Sequence, residues 1–393
     1  MKRRILVFTG KGGVGKSVLS AATAVKLADM GYNVALVSTD PAHTIAHYLN
    51  VQISQEVVKV MPRFDLIYID PVLEVMKKFR AMSEYIIEWF RKYGVDEVLA
   101  YELAMLPMVT ESMGLLKVLE LYESGSYDVV IMDTIPSAEA LRLLYLPLIL
   151  TSINKRLVKL GFSIVRTTAR MLSLVLSTAT KIGKMMEEEE TFFDEVAKLS
   201  QIVTNPEITS IRVIANPDTS SVDDAVKSVS LAQVFNLNVD LAIMNRVLKE
   251  VQNVPQEWLE EQEKHIQRFV TSIYPIPVKI TPSLGTEVKG LDRLRKLAEI
   301  LYGDEDPTKV YYIGKIVNVR EEGDKYILEM NLPPGILDCE DIFFQGDELV
   351  IQLKSERGLI EKILPLPTML KLARPENAYV EKRKLVIEFR KVS

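Results

Sequence analysis

Cysteine is almost absent from this chain of 393 residues, since Cys339 is the only one. A single thiol excludes an intrachain disulfide, a Cys-rich zinc site and a multi-thiolate cluster within one chain. A reducing compartment fits this composition. We therefore expect a cytoplasmic protein without a zinc site.

An excess of positive charge is also lacking. The chain has 48 Lys and Arg residues and 53 Asp and Glu residues, which gives a net charge of -5. Non-specific nucleic-acid binding depends on a strong positive field, so we expect no nucleic-acid partner.

Long hydrophobic runs are missing as well. The most apolar stretch, 141–153, contains Arg142 and Pro147 and is too short to predict a membrane-spanning helix. The basic start at residues 2–4 is followed by an apolar run that stops at Phe8 before a glycine-rich stretch. This pattern indicates a first β-strand rather than a signal peptide.

Short β-branched runs alternate with helical stretches from the N-terminus onward. Strands are predicted at 4–8, 33–38, 64–69, 127–132, 211–215 and 239–244, and a first helix at 16–30. This order predicts an α/β fold, a mostly parallel doubly wound sheet with helices on both faces.

Two helical stretches, about 72–123 and about 138–200, are longer than a crossover between strands requires, and they predict a helical subdomain. They are rich in Met and other apolar residues, which suit a surface that accepts varied hydrophobic partners. Packing of the subdomain's own core is the alternative explanation.

The composition changes after residue 301. The segment 303–308 is polar and turn-rich, and beyond it short alternating runs predict strands at 325–330, 348–353 and 384–389. We therefore predict an α/β domain over 1–305, with the helical subdomain inserted in it, and an all-β sandwich domain over 310–393.

A phosphate-binding loop directly follows the first predicted strand. It matches the pattern G-x-x-x-x-G-K-[ST] between a strand and a helix, a context that disfavours an ordinary glycine-rich turn. Glycines let backbone N–H groups surround a phosphate, while Lys16 reaches the β- and γ-phosphates and Ser17 binds Mg²⁺. The expected nucleotide-binding residues here are Gly10, Lys11, Gly12, Gly13, Val14, Gly15, Lys16, Ser17 and Val18.

Lys11 is additional, because the generic loop does not require a second lysine. The segment 11–17 resembles the deviant Walker A motif of the family that contains the division-site and partition ATPases, the nitrogenase iron protein, and the arsenite-pump and tail-anchored-protein-targeting ATPases. The resemblance implies that Lys11 contacts the nucleotide of the partner subunit, so that the active form is a homodimer.

Two further segments, 38–44 and 133–144, are similar to the arsenite-pump and tail-anchored-targeting branch of this family. The resemblance implies that Asp40 orients the attacking water and that Asp133 holds Mg²⁺ through water. Helix capping by both residues is the alternative. With Lys11 and Lys16, these groups suit hydrolysis of a phosphoanhydride.

The preference for ATP over GTP depends on resemblance alone. Asn245 matches the family's adenine-contacting asparagine, and 280–282 with 285–291 resembles its base-covering loop, which includes Pro282. Asp218 lies in a segment similar to another nucleotide-facing loop. Capping would equally explain Asn245 and Asp218.

The tail resembles an α-crystallin, or small heat-shock, domain, and in the targeting members of the family the helical insertion forms a groove for a transmembrane helix. The resemblance implies a homodimeric, Mg²⁺-dependent ATPase whose cycle opens and closes a hydrophobic groove for membrane-protein or other hydrophobic clients, with a membrane receptor as a further partner. One alternative is the ATPase subunit of an arsenite or other anion efflux pump, although the lone Cys339 suits As(III) poorly. Another is a membrane- or DNA-positioning ATPase, although no basic amphipathic tail is present.

Overall fold

The structure is a computed structural model. It describes residues 2–40, 44–52, 56–70, 74, 107–133, 198–199, 201–234, 237–248, 254–315, 317–332, 336–345, 348–355, 358–366, 368–382 and 384–391. Most of the two predicted helical stretches, 72–123 and 138–200, lies outside the described residues. In the described part of the chain, no helix is both long and apolar enough to cross a membrane.

The α/β part of the chain forms one sheet. Its strands are β1 (Arg4–Thr9), β2 (Val34–Ser38), β3 (Val57–Met61), β4 (Phe64–Tyr68), β5 (Val129–Asp133), β6 (Thr209–Ala215), β7 (Val239–Val247) and β8 (Val278–Pro282). Its helices are α1 (Lys16–Asp29), α2 (Thr44–Leu49), α3 (Pro107–Ser124), α4 (Thr219–Val234), α5 (Gln256–Ile273) and α6 (Leu291–Tyr302).

The strand order is β3-β4-β2-β5-β1-β6-β7-β8, and every neighbouring pair is parallel except β3 and β4. The predicted, mostly parallel sheet is therefore confirmed. In the register of the sheet, Asp133 pairs with both Phe8 of β1 and Ser38 of β2. The carboxyl ends of these three central strands consequently lie side by side.

Helices cover both faces of the sheet, as a doubly wound fold requires. Successive residues of β1 point to opposite faces, since Ile5 and Val7 belong to one apolar cluster and Leu6 and Phe8 to another. The first cluster contains residues of α3, α4 and α5, and the second contains residues of α1, α2 and α6. Burial on both faces explains why these strands are nearly continuous apolar runs.

Two strands differ from the sequence-based expectation. The edge strand β3 was not expected, because its residues are partly exposed and it pairs only on one side, with β4. Residues 280–282, expected in a loop over the nucleotide base, are instead the last three residues of edge strand β8. In β8 only Thr281 is fully buried, so the apolar signal of a strand is weak there.

The C-terminal part is a β domain, as predicted. Its strands are β9 (Val317–Glu322), β10 (Lys325–Asn331), β11 (Ile336–Gln345), β12 (Glu348–Ser355), β13 (Gly358–Pro365), β14 (Ala373–Glu381) and β15 (Lys384–Lys391), with one helical turn, α7 (Thr368–Lys371). They form two antiparallel sheets, β14-β15-β10-β9 and β11-β12-β13. The exact division of the chain at residues 305 and 310 remains a prediction.

The segment between the two parts is bonded to the α/β sheet. The buried guanidinium of Arg212 donates hydrogen bonds to the hydroxyl of Tyr302, at 2.9 Å, and to the carbonyl of Pro307. The Nε atom of Arg212 lies 3.8 Å from Oδ1 of the buried Asp240. In the connecting segment itself, Asp306 accepts a hydrogen bond from the hydroxyl of Tyr32 at 2.6 Å. These bonds fix the polar, turn-rich segment in place.

The β domain also shares apolar packing with the α/β part. Strand β13 contacts α4 and α5. Phe269 and Ile273 of α5 belong to the same buried cluster as Leu353 and Leu364 of the β domain. The hydrophobic core on this face of the sheet therefore continues into the C-terminal strands.

Candidate functional site

The loop from Gly10 to Gly15 joins β1 to α1 and requires glycine at particular positions. Gly10, Gly13 and Gly15 have φ angles of 146°, 81° and 101°, which side chains rarely adopt. A Cβ atom would lie 2.3 Å from the carbonyl oxygen of Ile214 at Gly10, and 2.3 Å from Nδ2 of Asn245 at Gly15. The loop is thus shaped by backbone conformation and by close contacts with β6 and β7.

The ammonium group of Lys16 lies across this loop. It is buried, and its Nζ donates to the carbonyl oxygens of Gly10, at 3.0 Å, and Lys11, at 3.1 Å. Burial lowers the pKa of Lys16, whereas the carboxylates of Asp133, Asp224 and Asp40 oppose this shift. A positive charge held at the N-terminus of α1 is suited to binding phosphate.

Asp133 ends strand β5 beside the phosphate loop. Burial raises the pKa of its carboxyl group to about 6, while the hydroxyl of Ser17, which donates a hydrogen bond to it, and the charge of Lys16 act in the opposite direction. Its Oδ1 atom is buried and has no hydrogen-bond partner among the described residues. A hydroxyl and a carboxylate oxygen so placed fit Mg²⁺, which prefers oxygen ligands and retains several waters.

Asp40 follows β2, on the other side of Asp133. Its Oδ2 accepts the backbone N–H of Thr44 at 3.2 Å, so it caps the N-terminus of the six-residue helix α2. Asp40 is also close enough to raise the pKa of Asp133 and to oppose the shift at Lys16. Capping and proximity to the phosphate loop, which the sequence presented as alternatives, occur together.

Asn245 lies against the loop from β7. Its Nδ2 donates to the carbonyl of Val14 at 2.8 Å, and its Oδ1 accepts the hydroxyl hydrogen of Thr281 at 2.7 Å. Thr281 lies in the segment 280–282 that resembles the base-covering loop, but its bond to Asn245 was not predicted from the sequence. An amide has two N–H donors and two acceptor lone pairs, so each end of Asn245 retains one further hydrogen-bonding position.

Asp218 lies apart from the loop centre, on the wall of a neighbouring cleft. Its Oδ1 accepts the backbone N–H of Ser221 at 2.9 Å and caps α4. The cleft has a volume of about 570 Å³ and also contains Arg246, whose Nη1 donates to the carbonyl of Gly13 at 2.8 Å. The cleft therefore adjoins the phosphate loop, and Arg246 is a contact that sequence reasoning missed.

Lys11 is exposed and turns toward the same wall. Its Nζ donates to the hydroxyl of Ser220, in the first turn of α4, at 2.6 Å. The structure thus brings the loop, Asp40, Asp133 and Asn245 together. It places Asp218 on the adjacent cleft and bonds Lys11 to Ser220 of the cleft wall. Pro282 is the last residue of β8 and pairs with Val247 in the sheet.

Comparison with known proteins agrees with this geometry. Residues 3–303 match the family model described as anion-transporting ATPase. The chain belongs to the anion-transporting ATPase family. It is accordingly an ATPase, and the predicted family and enzyme class are confirmed.

Relatives in this family fall into two groups by the extent of their similarity. Proteins from Aquifex aeolicus and Chlorobaculum tepidum, both named as arsenical pump-driving ATPases, are 31% and 30% identical. Each alignment covers 98% of this chain, together with 99% and 96% of the relative, so it extends into the β domain. The ATPase get3 of Pyrenophora tritici-repentis is 25% identical over 74% of this chain and 89% of its own length.

Proposed function

We propose that this ATPase is a cytoplasmic, Mg²⁺-dependent homodimer whose ATP cycle opens and closes a hydrophobic groove for membrane-protein or other hydrophobic clients. The observation that carries the catalytic part is the buried, unpaired Oδ1 of Asp133 beside the hydroxyl of Ser17 and the ammonium of Lys16. Phosphoryl transfer depends mainly on positioning and charge stabilisation, and these groups supply both.

Each group has a distinct part in hydrolysis. The N–H groups of the loop and Lys16 bind the β- and γ-phosphates, and Ser17 with Asp133, the latter through water, would hold Mg²⁺. The metal ion supplies charge neutralisation on the phosphate oxygens. Asp40 orients the attacking water from the start of α2, where its capping bond to Thr44 fixes the carboxylate.

Asn245 supplies a physical basis for choosing ATP. Thr281 and Val14 each engage one end of the amide and fix its orientation. The hydrogen-bonding positions that remain, one donor and one acceptor, match the N7 acceptor and N6 donor of adenine, as in other Asn–adenine pairs. Guanine presents O6, an acceptor, where adenine presents a donor. Pro282 lies next to Thr281, and Asp218 faces the nucleotide from the adjoining cleft.

The direct test of the catalytic assignment is Asp40→Asn. Asparagine also caps helices, so α2 should keep its N-cap and the protein should fold and bind ATP. We expect hydrolysis to fall by roughly 100-fold or more, the range lost when a positioned base is removed. The matched control is Asp292→Asn, in an exposed position of α6. Steady-state ATPase assays and binding of a fluorescent ATP analogue measure both effects, and unaltered turnover would remove Asp40 from this role.

The groove is proposed for the helical stretches 72–123 and 138–200, on the strength of the family resemblance and of their apolar composition. Purified protein would be mixed with a peptide that forms a single transmembrane helix, and binding would be measured with ATP, with ADP and without nucleotide. We expect nucleotide-dependent binding, and a polar helix of equal length serves as the control. Equal binding of both peptides would contradict the client proposal.

Driving an anion efflux pump is the second candidate, favoured by the names of the relatives that match the whole chain. Cys339 argues against arsenite as the cargo, because burial raises the pKa of its thiol to about 11 and soft As(III) binds thiolates. Arsenite should then leave the ATPase rate unchanged. A stimulation that Cys339→Ser abolishes would favour the pump instead.

We further propose that the β domain is of the α-crystallin type. Its two antiparallel sheets, one of four strands and one of three, support a sandwich. The strand patterns quoted from the sequence at 325–330, 348–353 and 384–389 lie within β10, β12 and β15.

A further inference from the structure

Lys11 is held by its own subunit in this structure. The ammonium group donates to the hydroxyl of Ser220 at 2.6 Å, and both side chains are exposed to solvent. Ser220 belongs to the first turn of α4, so the bond joins the phosphate loop to the wall of the neighbouring cleft.

A carboxylate lies on the same face of α4. Asp224 is four residues after Ser220, a spacing that places both side chains on one face of the helix. The Oδ2 atom of Asp224 is buried and has no hydrogen-bond partner among the described residues. Burial raises the pKa of Asp224, and the charges of Lys11, Lys16 and Lys227 oppose the shift. Lys11 is therefore near a carboxylate that needs a positive neighbour.

We propose that Ser220 and Asp224 are positioning residues that hold Lys11 against its own subunit until a partner's nucleotide takes it over. The inference rests on the proposed homodimer, in which Lys11 contacts the nucleotide of the partner subunit. Lys11 has a single ammonium group, so it must leave Ser220 on α4 in order to contact the nucleotide of the partner subunit.

This hold sets the attraction that the partner's nucleotide must supply before the closed dimer forms. Transfer of Lys11 breaks one hydrogen bond and separates the ammonium from Asp224, and contacts with the partner's phosphates must exceed this loss. ATP carries one phosphate group more than ADP and attracts the ammonium more strongly. Ser220 and Asp224 thereby raise the dimer dissociation constant with either nucleotide. At a given protein concentration, the more strongly attracting triphosphate can then support a dimer where ADP does not.

The first experiment examines the nucleotide-free monomer. An amine-reactive acetylating reagent is applied briefly, and the modification of each lysine is measured by mass spectrometry. We expect Lys11 to react about two to five times faster in Ser220→Ala and in Asp224→Asn, since an exposed contact of this kind protects only modestly. Lys2, which is exposed and pairs with Glu207 rather than with a residue of α4, is the internal reference. Equal reactivity of Lys11 in the wild type and in both variants would show that Ser220 and Asp224 do not hold Lys11.

The second experiment measures dimerisation by analytical ultracentrifugation with Mg²⁺ and either ATPγS or ADP. We expect the dimer dissociation constant to fall about two- to fivefold in Ser220→Ala and further in Asp224→Asn. The fall should be the same with ADP as with ATPγS, because the contact that is lost belongs to the free subunit in both cases. Ser230→Ala, on the same helix, controls for a general effect on α4 and should match the wild type. Because Asp224 also faces Lys16, the hydrolysis rate is not used.

Lys11→Ala separates this inference from the proposed function. If Lys11→Ala abolishes dimerisation while Ser220→Ala and Asp224→Asn dimerise like the wild type, the role of Lys11 in the dimer stands and the transfer from Ser220 and Asp224 is wrong. If Lys11→Ala dimerises normally, or the wild type does not dimerise with ATPγS, the proposed homodimer itself fails, and the inference with it.

Discussion

At the scale of single residues, Asp133 has the most unusual environment in the phosphate site. Its carboxyl group is buried at the end of β5, and one oxygen has no partner among the described residues. Such a group is costly for the nucleotide-free protein, because a buried charge is poorly solvated. The same burial makes the carboxylate a strong ligand once a cation is present, since the two charges attract each other through a medium of low dielectric constant.

Asp133→Asn should stabilise the metal-free protein in a pH-dependent way. The pKa of Asp133 is raised to about 6 in the folded protein. Its contribution to the free energy of unfolding is therefore most favourable below about pH 4, where the carboxyl group is protonated, and is lost as the pH rises through 6. The difference corresponds to ~3 kcal/mol above pH 6. Denaturant unfolding at pH 4.5 and pH 7.5 measures it, and the variant should gain stability over the wild type mainly at pH 7.5.

The same variant should also lose most of its Mg²⁺-dependent hydrolysis, because a neutral amide neither balances the charge of the metal ion nor orients its water. Asp128→Asn is a suitable control, since Asp128 immediately precedes β5 and its carboxylate accepts the backbone N–H of Asn33 outside the site. An Asp133→Asn protein that is no more stable at pH 7.5 than at pH 4.5, relative to wild type, contradicts this account of the burial.

The sequence and the family resemblance predicted that the phosphate loop, Asp40, Asp133 and Asn245 lie together, and the structure brings them together; their roles remain predictions. Their motifs are local, and each lies in or directly after the carboxyl end of a strand of the sheet. The contacts of Thr281 with Asn245 and of Arg246 with Gly13, and the proximity of Asp224 to the loop lysines, were not predicted. These residues approach the site only because β7, β8 and α4 belong to the same folded sheet and its covering layer as β1, and no local pattern marks a residue whose importance depends on such contacts.

At the scale of secondary structure elements, α2 joins Asp40, the proposed catalytic aspartate, to the segment after β8. Asp40 caps the start of this short helix. Near its end, Nε2 of His47 lies 2.7 Å from Oε1 of Glu287, and the carbonyl of Tyr48 accepts the N–H of Gly290 at 2.8 Å. His47 thus pairs with Glu287, and the end of α2 is bonded to the segment 287–290.

Glu287→Ala should therefore affect catalysis more than stability. The bond from His47 lowers the pKa of Glu287, but both side chains are exposed, so its loss should change stability little. We expect turnover to fall by about two- to threefold, because α2 and Asp40 become less firmly placed. Glu299→Ala removes an ion pair with Lys26 elsewhere on the surface and should leave turnover unchanged. Equal kinetics in the two variants would contradict a role for α2 in positioning.

The elements themselves could be predicted to different degrees. Strands buried on both faces, such as β1 and β6, were clear from apolar runs, and their observed ends differ from the expected ones by only a few residues. The edge strands β3 and β8 were missed, because a strand that pairs on one side needs fewer apolar residues. Pairing with β4 and β7 determines these two strands, and such pairing is not visible in a local stretch of sequence.

At the scale of the whole molecule, one buried cluster passes from the α/β part into the β domain. Leu364 of β13 is 5% exposed and belongs to this cluster, whereas Leu359 of the same strand is 58% exposed. The composition of residues 303–308 correctly indicated a change in the type of structure. It could not indicate that the strands beyond it pack against α4 and α5, because that packing depends on side chains far apart in the chain.

Leu364→Ala should consequently lower the thermal stability of the ATPase activity, although the residue is far from the phosphate loop in sequence. Truncating a buried leucine typically costs ~2–5 kcal/mol. If the core is shared, the midpoint of heat inactivation of the ATPase should fall by several degrees together with the unfolding of the β domain. Leu359→Ala should leave the midpoint almost unchanged. Unfolding of the β domain alone, with the inactivation midpoint preserved, would show that the two parts are energetically independent.

The environment of Cys339 has a practical consequence for measuring the proposed opening and closing of the protein during the ATP cycle. With a thiol pKa of about 11, only on the order of one molecule in 3,000 carries a thiolate at pH 7.5. The wild-type chain is therefore nearly inert to maleimide dyes and spin labels. A cysteine introduced at an exposed position, such as Leu372 of the β domain or Asp292 of α6, would be the dominant reactive thiol, so pairs of probes could report distances through the nucleotide cycle without first removing a native cysteine.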